Sequence, residues 1–145
     1  MKCKWVYRTK MDFYGSYVNY KEILVSKCFS QFQGVYYTYT FAPVAKMDSI
    51  RLVLAIAASK RCLVHHMDVK SDFIHGDIHE EIYIQHPEGF IHDPSLVFRL
   101  RNSLYGLKQA PKAWYAKMDN FLLSLGFERC KFDPNVYLHH NGDLL

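Results

Sequence analysis

Two alternating stretches open the chain. Trp5–Lys10 and Tyr17–Lys27 are rich in aromatic and β-branched residues, and they flank Asp12-Phe13-Tyr14-Gly15-Ser16. That pattern predicts a β-hairpin. Phe41-Ala42-Pro43-Val44 reads as an extended connector, because proline disfavours helix in the residue before it. From Met47 to Lys60 the period changes to that of a helix. Ile50, Val53, Leu54 and Ala57 recur on one face, and Asp48 or Ser49 can cap the first turn. Leu63–Val69 is an apolar, β-like run that predicts a buried strand carrying Asp68. Ile82-Tyr83-Ile84 and Leu96-Val97-Phe98 predict short strands, separated by a loop with Pro87, Gly89 and Pro94. Pro111–Leu125 is the clearest helix. Proline suits its first turn, Gly126 its C-terminal cap, and Trp114, Met118, Phe121, Leu122 and Leu125 its apolar face. Val136-Tyr137-Leu138 predicts a strand running into Asn141-Gly142, a strong hairpin-turn dipeptide. Only three residues follow that turn, so the expectation is a chain that stops inside a domain.

At 145 residues the chain suits one domain with a real core, and a 50% hydrophobic content argues against disorder. The longest apolar run, Leu52–Ala58, is too short to cross a membrane, and no signal-peptide core opens the chain. The expectation is a protein without a membrane partner, in the cytoplasm or nucleus. Its oligomeric state is not readable from the sequence. Cys3, Cys28, Cys62 and Cys130 show no ligand spacing and read as thiols of a reducing compartment.

Charge changes the picture. Of the net +4, residues 1–27 supply all: six bases against two acids. A second run, Arg99, Arg101, Lys108, Lys112 and Lys117, has no intervening acid. Two basic regions on an otherwise neutral chain suit a polyanion such as nucleic acid or nucleotide, while ordinary solvated charge explains them as well.

The motif inventory is short. His75 and His79 stand four apart with Asp77, Glu80 and Glu81 nearby, but there is no HExxH and Gly76 argues against a helix, so an exposed polar loop outweighs a zinc site. His65-His66 and His139-His140 sit in strand-like segments, where neighbours point to opposite faces. No GxSxG, Walker-type loop or GxGxxG is present. Asp68 stands out. A short acid at a strand end can hold a divalent cation beside a phosphate, yet such chemistry usually needs a second carboxylate, and the chain has no Asp-Asp pair.

Four ordered blocks then combine: FAPVAKMDSIRLVLAIAA (41–58), HHMDVKSDFIHGDIHEEIYIQHPEGF (65–90), LVFRLRNSLYGLKQAPKAWY (96–115) and FLLSLGFERCKFDPNVYLHHNGDLL (121–145). With KWVYRTK (4–10) in front, the chain closely resembles the reverse transcriptase of copia-type retrotransposons. The resemblance implies an α+β fold. Residues 1–60 or so would form fingers, and about 61–145 an incomplete right-hand polymerase palm, an antiparallel sheet backed by helices and truncated before the catalytic hairpin. The implied reaction is template-directed DNA synthesis with two Mg²⁺ ions on an RNA/DNA primer-template, using deoxynucleoside triphosphates. Asp68 matches the family's first metal-binding aspartate, and the Val69 backbone carbonyl would join it. Lys70 and Ser71 lie where backbone N–H groups would approach the triphosphate. Phe73 matches the aromatic that excludes a 2′-hydroxyl in related polymerases, and it also reads as a core residue. Lys21, Lys27, Lys108 and Lys112 are candidate nucleic-acid contacts. Gly106 permits close backbone approach.

Departures matter as much. The family's fingers usually read close to YKARLVAKGF, and this chain has YKEILVSKCF (20–29). Ile23 replaces an arginine that contacts triphosphate, and isoleucine offers no donors. Cys28 replaces a glycine, and Tyr36 and Tyr39 stand in a stretch where the family carries acids. Asp72 takes the place of a small residue. It reads as a spare metal ligand, a cap for a short helical turn, or unwanted charge near the triphosphate. The family's paired aspartates follow the NGD turn and are not in this sequence. Two functions therefore compete. One is part of a reverse transcriptase, inactive alone. The other is a non-catalytic transposon relic with at most weak, salt-sensitive nucleic-acid binding. An edge left exposed beside the Asp68 strand predicts marginal solubility and partial order.

Overall fold

The computed structural model describes residues 1–90, 93 and 95–139. The architecture mixes two helices with small antiparallel sheets, an α+β arrangement.

The opening hairpin forms as its alternation predicts. Strand β1 (Cys3–Met11) pairs antiparallel with β2 (Tyr17–Ser26), placing Trp5 opposite Leu24 and Arg8 opposite Lys21. Asp12 organises the turn. Its Oδ1 accepts hydrogen bonds from the Tyr14 and Ser16 amides at 2.9 and 2.8 Å, and Gly15 takes the left-handed conformation the turn requires (φ +80°). The ribbon is anchored at its root. The Met1 ammonium donates to the Tyr83 carbonyl (2.9 Å), the Ser26 amide donates to the Tyr105 carbonyl (2.7 Å), and the Trp5 indole donates to the Glu88 carbonyl (3.1 Å).

Helix α1 spans Met47–Ser59 and α2 spans Ala110–Ser124. Both match the sequence periodicity closely. Pro111 lies in the first turn of α2, and Gly126 follows its end with φ +86°. The remaining strands are two-residue pairs: β3 (Tyr83–Ile84) with β4 (Phe98–Arg99), and β5 (Glu128–Arg129) with β6 (Tyr137–Leu138).

The core is small. Ile82, Leu107 and Ala110 are buried together, and Met1, Phe73, Ile78, Leu100 and Leu104 pack on them. Helix α2 lies against a one-turn 3₁₀ helix, Asp72–His75. Gly76 allows that approach, since a Cβ there would stand 2.8 Å from backbone and side-chain atoms of Ala113 and the Trp114 nitrogen. The side of α2 that is buried is Ala110 and Asp119, whereas Phe121 and Leu125 of the expected apolar face stay mainly exposed.

Helix α1 buries none of its residues, and Ile50, Val53 and Leu54 border an open groove with Val136 and Tyr137. It is held at its first turn by Asp133, whose Oδ2 accepts from the Ser49 hydroxyl (2.6 Å) and the Lys46 amide (3.3 Å).

The expectation for the Asp68 segment is overturned. Leu63–Val69 is not a buried strand; the whole run is exposed and pairs with none of the described residues. A β-like composition supplies side chains that suit a sheet, but the ladder needs a neighbour to take up its backbone groups. The Asn141-Gly142 turn lies outside the described residues.

Candidate functional site

The chain leaves α1 through Arg61, a left-handed residue (φ 54°), and carries Asp68, Val69 and Lys70 across the surface, all exposed. Ser71 then adopts a left-handed conformation (φ 58°, ψ 41°) and turns the backbone into the Asp72–His75 helix. A non-glycine residue there costs about 1 kcal/mol, so neighbouring contacts must hold it. The Ser71 carbonyl accepts the Ile74 amide at 3.2 Å, and Asp72 ties down the next residue. The Asp72 Oδ1 accepts from the Phe73 amide and from the Tyr105 hydroxyl, each at 2.9 Å. Asp72 is the first residue of the turn rather than its cap, which is Ser71, and its carboxylate is engaged by Tyr105 and the next amide.

Phe73 packs on the core and meets the edge of Tyr105, with ring centroids 5.2 Å apart at 68°. The Tyr105 hydroxyl is pushed above its ordinary pKa by burial first, then by the Asp72 hydrogen bond and the charges of Asp72 and Asp68. Both carboxylates therefore act on the same phenol. Gly106 does permit a close backbone approach, but the neighbour is protein. With φ +87°, a Cβ would fall 2.3 Å from the Ser26 carbonyl oxygen. His75 Nε2 lies 3.3 Å from the Lys70 carbonyl, so this histidine is engaged locally.

The four candidate lysines do not converge on Asp68. Lys21 lies on β2 opposite Arg8, two like charges across the ribbon, where each weakens the pair unless an anion lies over them. Lys27 is half-buried at the ribbon root, its amide donating to the Lys2 carbonyl. Lys108 Nζ donates to the Gln31 carbonyl (3.3 Å) and the Tyr37 hydroxyl (3.2 Å). Lys112 Nζ stands 5.0 Å from the centre of the Tyr39 ring, a cation–π distance. Tyr39, noted as a departure, is thus the face on which Lys112 rests.

Several participants gave no signal in the sequence. Gln31 and Gln109, both buried, hydrogen bond to each other at 3.1 Å across 78 residues of chain. Tyr105 was visible only as part of the LYGLKQAPKAWY block. Asp119 and Asp133 are both buried.

Among the described residues no three His, Cys, Asp or Glu side chains gather as a metal site. Asp68 and Val69 are exposed, and a carboxylate and a carbonyl are the oxygen donor types a hard divalent cation takes beside phosphate and water. They do not complete a two-metal site.

The model of the reverse transcriptase (RNA-dependent DNA polymerase) family matches residues 1–144. The chain belongs to that family. Its relatives are copia-type Pol polyproteins. The retrovirus-related Pol polyprotein from transposon TNT 1-94 of Nicotiana tabacum is 47% identical over 139 residues, 94% of this chain. The Pol polyprotein from transposon RE1 of Arabidopsis thaliana is 39% identical over 142 residues, 97% of the chain. A putative transposon Ty5-1 protein of Saccharomyces cerevisiae is 35% identical over 79 residues, covering 53% of this chain and 26% of that protein. The chain spans about 10% of the length of the two plant polyproteins. No solved structure matches it. No helix of the described residues is long and apolar enough to cross a membrane.

Proposed function

We propose that this chain is the fingers-like (about 1–60) and palm-like (about 61–145) portion of a copia-type reverse transcriptase. In this reading Asp68 and the Val69 carbonyl hold one side of a Mg²⁺ position. When bound, that ion would supply charge neutralisation on the triphosphate. The chain's own residues do the rest. Lys70 and Ser71 present backbone N–H groups toward phosphate, and Phe73, fixed on the core, offers an aromatic face to the sugar. The observation that carries the reading is the exposed Asp68-Val69 step leading into a packed Phe73, inside a family match over residues 1–144. A two-metal site needs carboxylates besides Asp68, because the charge stabilisation that the metals supply is worth orders of magnitude in rate.

Primer extension tests this directly. The 145-residue chain with Mg²⁺ is expected to extend a primer no better than its Asp68→Ala variant. Spliced into the tobacco polyprotein in place of the matching 139 residues, it is expected to support extension that Asp68→Ala abolishes. A folded chimera that binds primer-template and extends equally well with the Asp68→Ala substitution would sink the assignment.

A second reading is non-catalytic binding of nucleic acid. It is favoured by two acid-free stretches, residues 23–47 and 94–118, that meet where Lys108 reaches Tyr37 and Lys112 lies over Tyr39. Cations interleaved with exposed aromatics suit a single strand held by phosphate contacts and stacking. No affinity for a primer-template at low salt would end this reading.

A further inference from the structure

Tyr105 makes three different contacts from one residue. Its carbonyl accepts the Ser26 amide at 2.7 Å, its ring meets Phe73 edge-on at 5.2 Å, and its hydroxyl donates to Asp72 at 2.9 Å. Asp72 turns the same oxygen to the Phe73 amide, also at 2.9 Å. Phe73 is therefore held twice through one carboxylate oxygen: at its backbone by Asp72, and at its ring by the tyrosine that Asp72 orients. Gly106 locks the arrangement to the ribbon root, since only a residue without a Cβ fits against the Ser26 carbonyl at φ +87°.

We infer that Tyr105 and Asp72 form a clasp that positions Phe73, and so set how strictly the site excludes a ribose 2′-hydroxyl. Both are positioning residues, acting through Phe73. The inference rests on the proposed sugar-facing role of Phe73 and adds what fixes that ring. An aromatic wall rejects an extra hydroxyl only if it cannot move aside. Loss of either bond frees the Phe73 backbone or ring to move away from an added hydroxyl group. Asp72, a departure from the small residue usual in the family, is thereby part of the wall's support.

The test is nucleotide binding by the 145-residue chain with Mg²⁺, titrating dATP and ATP separately and following Phe ring signals by NMR. The chain is expected to prefer dATP. Tyr105→Phe keeps the ring and loses the hydroxyl bond, and Asp72→Ala loses both acceptor contacts. Each is expected to narrow the dATP-over-ATP preference about threefold or more, the scale of a lost hydrogen bond. Asp72→Asn retains an acceptor oxygen and should keep the preference, which a general loss of stability would not explain. Phe73→Ala separates the failures. If it narrows the preference while Tyr105→Phe and Asp72→Ala, both folded, leave it unchanged, the clasp is wrong and the role of Phe73 stands. If Phe73→Ala leaves it unchanged, or the parent chain binds neither nucleotide, the sugar-facing role falls and the clasp falls with it.

Discussion

Arg129 and Asp119 form an ion pair, with Nε 2.7 Å from Oδ1 and a hydrogen bond from Nη2 to Oδ2 at 3.0 Å. The Tyr137 hydroxyl donates to the same Oδ1 at 2.8 Å. Three elements, β5, α2 and β6, are tied at one carboxylate. Burial, then the neighbouring Tyr115 and Asp119, raises the Tyr137 phenol above its ordinary pKa, so it stays a donor through the neutral range. Removing the arginine leaves a largely buried carboxylate without its charge partner. Arg129→Ala is expected to cost about 2 kcal/mol, less than a fully buried pair because the Arg129 side chain is 45% exposed. Urea melts check this, and Tyr137→Phe should cost about 1 kcal/mol in the same assay.

Acid should release α1. Hydrogen bonds from Ser49, Asn135 and Lys46 hold the Asp133 carboxyl down at about 2, despite the opposing effect of burial. The folded pKa lies below the unfolded one, so this contribution is present above the unfolded carboxylate range and is lost as pH falls toward 2. Circular dichroism between pH 5 and 2 should show helical signal falling in the lower part of that window. In Asp133→Asn the signal should be weaker at neutral pH and flatter across the same range.

Two glycines should resist even a methyl group. Gly76→Ala drives a Cβ to 2.8 Å from the α2 backbone, and Gly106→Ala drives one to 2.3 Å from the Ser26 carbonyl while also straining φ. Backbone on both sides leaves little to give, so each is expected to destabilise by about 1 to 3 kcal/mol. Thermal melts that match the parent would contradict the packing described at either position.

If the lysine–tyrosine junction binds a single strand, Lys112→Ala should lower affinity and reduce the salt slope by about one. Tyr39→Ala should lower affinity without changing that slope, because stacking releases no counterions. Fluorescence anisotropy against salt separates the two effects, and a slope unchanged by Lys112→Ala would count against the junction.

Local signals were legible wherever short-range physics decides. The hairpin followed from alternation around Gly15, and both helices from their periodicity, although α1 starts at Met47 after Lys46, so that Asp48 and Ser49 lie inside it and do not cap it. The Leu63–Val69 run misled because a strand is a property of two segments, and its composition describes one. Strand β5 is Glu128–Arg129, charged and exposed, and carries no apolar pattern to find. At the candidate site, Asp68, Val69 and Phe73 are proposed through block resemblance. The long-range bonds near them were not legible, because Tyr105 lies 33 positions from Asp72 and Gln109 lies 78 from Gln31. Asp119 and Asp133 show the same limit. An acid reads as solvent-facing until its distant partners are known, so their burial could not be seen.

The root bonds of the ribbon have a mechanical consequence. Met1, Trp5 and Ser26 fasten its base, whereas the bonds of the turn around Asp12 stay within the ribbon itself. Amide protection should decline stepwise from Trp5 toward Tyr14, because each rung can open without disturbing Ile82 or Leu107. The ribbon is thus a cantilever, stiff where it leaves the body and compliant at its tip.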